Sequence, residues 1–140
     1  MSQHFFEELL SNSIDESLSL LGESSKKAIY FHLEKSFNIK KQEIPLKIKS
    51  FAKAIENILG LGARFLEILI MKKLYEKIGL PVPLNQPRNF TFLEYVAAAK
   101  TAAHKLYEAR NMELYGYGNY EDVMNIEVLE TETPRRKRKG

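Results

Sequence analysis

Glu67 is the first residue with the makings of chemistry, because at helical spacing it shares a face with Ala63, Leu74 and Ile78. A carboxyl buried on such a face acquires a raised pKa and can serve as an acid or a base. Pairing with Arg64 or with a lysine elsewhere is the alternative fate of the same group. His4, His32 and His104 stand on separate segments without an HxxxH, HxxE or Asp-rich pattern, so no metal site is expected. The chain has no Cys, which excludes a disulfide scaffold, a thiolate zinc site and a cysteine nucleophile. GxGxxG, GxSxG and the P-loop pattern are also absent. The expectation is a non-enzymatic protein with no cofactor and no evident small-molecule substrate.

Charge carries more. The run Arg135, Arg136, Lys137, Arg138 and Lys139 supplies five cations, more than the net charge of +3 for all 140 residues. Placed after Pro134, it reads as a disordered arm that neutralises phosphates and releases counterions, without implying sequence specificity. A second basic group, Lys40, Lys41, Lys47, Lys49 and Lys53, surrounds the Ile44–Pro45 turn. It is either a solvated surface or an accessory patch. Residues 110–134 sum to −5, so the tail can also fold back on this acidic stretch.

Three tyrosines, Tyr115, Tyr117 and Tyr120, are separated by Gly116, Gly118 and Asn119. Such rings can stack on bases, or anchor the C-terminal segment to the core. Phe31, between Lys27 and Lys35, is a candidate contact for a base, for the N-terminal helix or for another subunit.

These residues need a scaffold, and the periodicity supplies helices. Ser13 with Glu16 and Thr91 with Glu94 each match a capping box. Gly22 ends a short first helical region, and Ser24 or Ser25 can cap a second helix from about Lys26 to Phe37. Asn38 to Ile44 reads as a polar connection, and Pro45 suits the first turn of a third helix ending near Leu59. Ala63 to Ile78 forms a fourth, stopped by Gly79. Its first half is apolar in every direction (Phe65, Leu66, Ile68, Leu69, Ile70, Met71), as a central helix would be. Pro81, Pro83 and Pro87 mark a spacer. The fifth helix, Thr91 to about Met112, carries a stripe with Ala99, Ala102 and Ala103, small enough to admit a close neighbour such as a second subunit. Beyond it, Ile126 and Val128 alternate with polar residues.

The stretch Glu23 to Leu80 resembles an archaeal helical domain family with no assigned activity. The resemblance rests on Gly22, Glu23 and Ser24; Lys26 or Lys27 with Ile29, Tyr30, Leu33 and Glu34; Ile44 and Pro45; Gly62 and Ala63; and Leu74, Tyr75, Glu76 and Lys77. Phe90 to Val96 is similar to the family's closing segment. Members occur as small stand-alone proteins and, in thaumarchaea, as an inferred output domain attached to regulatory modules. The resemblance implies an archaeal origin and an all-helical fold, and it implies no reaction.

The sequence thus predicts an all-α bundle of about five helices over residues 1–112, an extended acidic and aromatic segment over 113–134, and a basic tail over 135–140. The start, MSQHFFEELL, lacks the basic residue of a secretory signal, and Ile58 to Met71 is broken by Arg64 and Glu67, so a cytoplasmic protein without a membrane span is expected. The expected partner is nucleic acid or a ribonucleoprotein. The alternative is a protein-interaction or regulatory output module, a homodimer among its forms.

Overall fold

The first breaker of helical backbone is Gly22, and Ser2–Ser19 before it form one uninterrupted helix. A computed structural model describes residues 2–82 and 91–114, with five α-helices: α1 (Ser2–Ser19), α2 (Glu23–Phe37), α3 (Ile48–Leu59), α4 (Gly62–Ile78) and α5 (Phe92–Leu114). A 3₁₀ helix, Lys41–Lys47, precedes α3. No strand occurs among the described residues. The acidic and aromatic segment beyond Leu114, with Tyr115, Tyr117 and Tyr120, and the tail Arg135, Arg136, Lys137, Arg138 and Lys139 lie outside the described residues, as does most of the proline spacer.

The capping box expected at Ser13 is not there. Phe6, Leu10, Ile14 and Leu18 form a single buried stripe at spacing i, i+4, i+8, i+12, so the helix that buries them cannot start between them. Ser13 sits mid-helix, fully buried, and its hydroxyl donates to the Leu9 carbonyl at 2.8 Å. The helix stops at Ser19, and Gly22 turns the chain with φ 104°, a conformation closed to most side chains. Gly22 itself is the N-cap of α2, and Ser24 and Ser25 lie inside the helix rather than before it.

At the far end of α2, Asn38 adopts the left-handed conformation (φ 56°) and its N–H reaches the Glu34 carbonyl. The Ile39 N–H then bonds Leu33 at 2.9 Å, closing a Schellman turn. This turn drives Ile39 inward. The connection from Asn38 to Ile44 is therefore only partly polar, with Ile39 and Ile44 both buried and Pro45 riding within the 3₁₀ helix. Gly79 closes α4 the same way at φ 91°, with the Leu80 N–H on the Tyr75 carbonyl at 3.0 Å. The cap expected for α5 is present: the Thr91 N–H donates to Glu94 at 2.7 Å, and the Glu94 N–H donates to Thr91 Oγ1 at 3.2 Å.

Two helices share the centre. α4 packs on α1, α3 and α5, and α1 packs on α2, the 3₁₀ helix, α4 and α5. Leu66, Ile70 and Leu74 of α4 meet Leu10, Ile14 and Leu18 of α1 in one core that also holds Leu33, Phe51 and Ile55. Tyr75 adds a polar tie, its hydroxyl donating to the Tyr95 carbonyl at 2.9 Å. Burial lifts its pKa to about 12, with Tyr95 adding to the shift.

Two expectations about apolar faces are corrected here. α4 is central, yet it is not enclosed: Leu61, Phe65 and Ile68 are 98%, 59% and 40% exposed on its outer side. The alanine stripe of α5 is enclosed instead. Ala99 and Ala103 are 0% and 3% exposed, buried in the chain's own core, and so cannot serve as a subunit contact. Small residues recur there because α5 must lie close against the rest of the bundle.

Replacing Ala99 by Leu should overfill that contact and cost about 1–3 kcal/mol. Thermal unfolding alongside light scattering checks it: a lower midpoint with unchanged mass is expected, and a change of mass at unchanged stability would return the stripe to the surface.

Candidate functional site

Adjacent acids on α1 point to opposite neighbours. Asp15 receives the Tyr30 hydroxyl at 2.8 Å and Lys26 Nζ at 3.1 Å, both from α2, and Lys41 of the 3₁₀ helix lies at 3.5 Å. Lys26 also donates to the Ser19 hydroxyl at 2.9 Å, and Lys41 sits 5.0 Å from the centre of the Tyr30 ring. Burial pushes the Asp15 carboxyl upward, but the hydrogen bonds from Tyr30 and Lys26 and the charges of Lys41 and Lys26 outweigh it, leaving the group below its ordinary value. Tyr30 moves the other way, raised by burial and by Asp15. Glu16 turns to α4, pairing with Lys77 at 2.8 Å and Lys73 at 4.0 Å.

The cluster is an anchor, and it consumes one of the expected nucleic-acid lysines. A second is consumed locally, since Lys47 pairs with Glu43 at 3.2 Å. Glu43 also accepts the Lys40 N–H at 3.0 Å, and its pKa is lowered by that bond and by Lys47. The lysines around the Ile44–Pro45 turn therefore do not form one patch. Lys40 is exposed beside this pair, while Lys49 leaves the turn in the direction of α5.

Lys49 and Lys53 line a groove of about 980 Å³ between α3, the first half of α4 and the start of α5. Arg64 and Leu61 line its α4 side, Thr91, Phe92 and Leu93 its α5 side, and Glu56 and Glu67 lie among the cations. Among the described residues, no carboxylate comes within ion-pair distance of Lys49, Lys53 or Arg64, and all three are exposed. Glu67 is half-buried, and its pKa is raised by burial and by Glu56 against the opposing charge of Arg64. The sequence placed Glu67 correctly on a partly apolar face. It missed the association of Arg64 with Lys49 and Lys53, which only the packing of α3 against α4 creates.

Phe31 is 57% exposed on α2, with Lys35 5.9 Å from its ring centre and the His32 ring edge-on at 5.7 Å. Among the described residues it is not covered by the N-terminal helix. No group of three or more metal-ligating side chains occurs among the described residues, and none of the described helices is long and apolar enough to cross a membrane.

The residues that carry the family resemblance now have physical roles. Gly22 supplies a positive φ, Lys26 and Tyr30 hold Asp15, Ile44, Ala63 and Leu74 fill the core, and Tyr75 ties α4 to α5. All are structural. Comparison of the chain with family models, with curated proteins and with solved structures finds no match.

Asp15 gives a test with a defined sign. Its folded pKa lies below the unfolded value of about 3.9, so the stabilisation is complete above that pH and is lost as pH falls through the folded value. Asp15→Asn should cost about 1–2 kcal/mol near neutrality, reduced from a buried charge's worth by its partial exposure. Denaturant melts at neutral and acid pH should show the two proteins converging as the medium turns acid; a gap that persists unchanged would contradict the assignment.

Proposed function

We propose that this chain is a non-enzymatic adaptor of archaeal type that associates with nucleic acid or a ribonucleoprotein through Arg135 to Lys139, assisted by the cations of the α3–α4–α5 groove. The observation that carries the reading is the groove: Lys49, Lys53 and Arg64 converge on one concavity without a carboxylate at ion-pair distance, while Lys41 and Lys47 are engaged by Asp15 and Glu43. Unpaired cations attract phosphates at low cost, because no existing ion pair must break. Glu67 is read as spacing these cations rather than as a reactive group, since no His, Ser or Tyr among the described residues lines the groove with it. A cytoplasmic location belongs to the same proposal.

A second reading, a protein-interaction module, is favoured by a different observation. Leu61, Phe65 and Ile68 stand at i, i+4, i+7 on the outer face of α4, an apolar stripe beside the groove. A second copy or another protein is the occupant such a stripe suits. The two readings separate on salt, because a phosphate contact weakens with ionic strength and an apolar one does not.

A chain ending at Thr133 should lose most of its affinity for generic RNA and DNA, and Lys49→Gln, Lys53→Gln and Arg64→Gln together should flatten the salt dependence. Each phosphate contact removed lowers the log–log slope by about 0.7–0.9, so the triple replacement should lower it by roughly 2–3. Lys41→Gln and Lys47→Gln should leave the slope nearly unchanged. Fluorescence anisotropy across a salt series measures this. Equal binding by the shortened chain, with an unaltered slope, would remove the nucleic-acid reading.

A further inference from the structure

We infer that the crevice where α1, the 3₁₀ helix and α5 meet binds a single-chain organic anion of the fatty-acid class, with its acyl chain between the helices and its carboxylate on Lys49 and Lys100. The site is separate from the nucleic-acid contact proposed above and does not depend on it, although Lys49 and Leu93 line both concavities. It holds about 430 Å³, within the range of about 300–1,000 Å³ usual for small-ligand sites. The walls are the first argument. Phe6 and Leu10 of α1 and Val96 of α5, each almost wholly buried, form the floor, and Leu46, Ile48 and Ala97 flank it with more exposure. Leu46 is 66% exposed, although Ile44 in the same 3₁₀ helix is buried. A hydrocarbon chain laid against Leu46 removes both surfaces from water, and that burial is the driving force.

Charge is the second. Lys49 of α3 and Lys100 of α5 are both exposed, and among the described residues neither has a carboxylate at ion-pair distance. Glu7 also lines the crevice, on the α1 wall, where His4 Nδ1 lies 3.9 Å from it. The two cations outnumber this acid, so the crevice favours a negative head group over a positive one. Held by exposed lysines, such a head keeps part of its hydration, and no charge has to be buried unpaired.

The polar inventory is the third, and it selects the occupant. Apart from Glu7, Lys49 and Lys100, every side chain lining the crevice is hydrocarbon, and Pro45 on its wall brings no N–H. A peptide or a nucleotide chain seated here would give up water from its amides, sugars or bases and receive few hydrogen bonds in return. A run of methylenes has no such groups to satisfy. It needs only an apolar floor and one charged contact at its end.

Titration calorimetry of the full chain with decanoate below its micelle concentration tests this, with decanol and decyltrimethylammonium as the neutral and cationic counterparts. Decanoate should bind several-fold more tightly than either, and in isotope-labelled protein it should shift the amides of Phe6, Leu46 and Val96. Lys100→Gln should weaken decanoate several-fold and leave decanol unchanged, whereas Glu7→Gln should tighten decanoate. Ala97→Trp should remove most of the affinity by filling the crevice from its edge. Ala97 and Lys100 are exposed, so neither replacement disturbs the core, and neither residue lines the α3–α4–α5 groove. No binding of decanoate, equal binding of the cation, full affinity in Ala97→Trp, or shifts centred on Leu61, Phe65 and Ile68 would each overturn the assignment.

Discussion

The burial of one stripe of α1 governs this fold. Phe6, Leu10, Ile14 and Leu18 are each nearly or wholly withdrawn from water, and side chains of this size gain about 1.5–3 kcal/mol apiece on full burial. A stripe of that length demands an uninterrupted helix, so Ser13 and Ser17 are carried into the interior with it. Ser13 satisfies its hydroxyl on the Leu9 carbonyl, whereas the Ser17 hydroxyl has no hydrogen-bond partner among the described residues. The apolar gain outweighs that cost. Asp15 and Glu16, flanking the stripe, then fix its neighbours: one acid holds α2 and the start of the 3₁₀ helix, the other holds α4.

This arrangement decides which cations are spoken for. Lysines near α1 find its acids, and Lys47 finds Glu43 one turn away, so their charge is neutralised within the molecule. Lys49 and Lys53 of α3 share a groove with Arg64, and although Glu56 and Glu67 line it too, no carboxylate among the described residues reaches ion-pair distance of these cations. The positive groove is thus a consequence of how the helices are packed, with α3 and α4 joined by a tight turn at Gly60 and the start of α5 laid alongside.

The number of helices, their order and most of their ends were legible from residue types, because Gly22, Asn38, Gly79 and the Thr91–Glu94 pair act through local backbone chemistry. The start of α1 was not. Ser13 and Glu16 satisfy the local pattern of a cap, and only the long-range burial of Phe6 and Leu10 overrides it. The same limit applies to the faces of α4 and α5. Phe65 and Ala99 invite opposite readings by type, yet their exposure depends on which neighbours are present. The Asp15 cluster left one trace, an acid beside the buried stripe facing the Lys26 and Tyr30 helix. Its partners are brought together by tertiary packing alone.

Under the proposed function, an anionic partner meets this protein at Lys49, Lys53 and Arg64 together with the basic tail, and not at the lysines already engaged by α1 and Glu43. Amide shift mapping of the full chain, titrated with a short single-stranded oligonucleotide at low and high salt, tests it most directly. Shifts confined to residues around these three side chains and to 135–139, and abolished at high salt, are predicted. Shifts centred on Lys41, Lys47 and Phe31, or none at all, would contradict it.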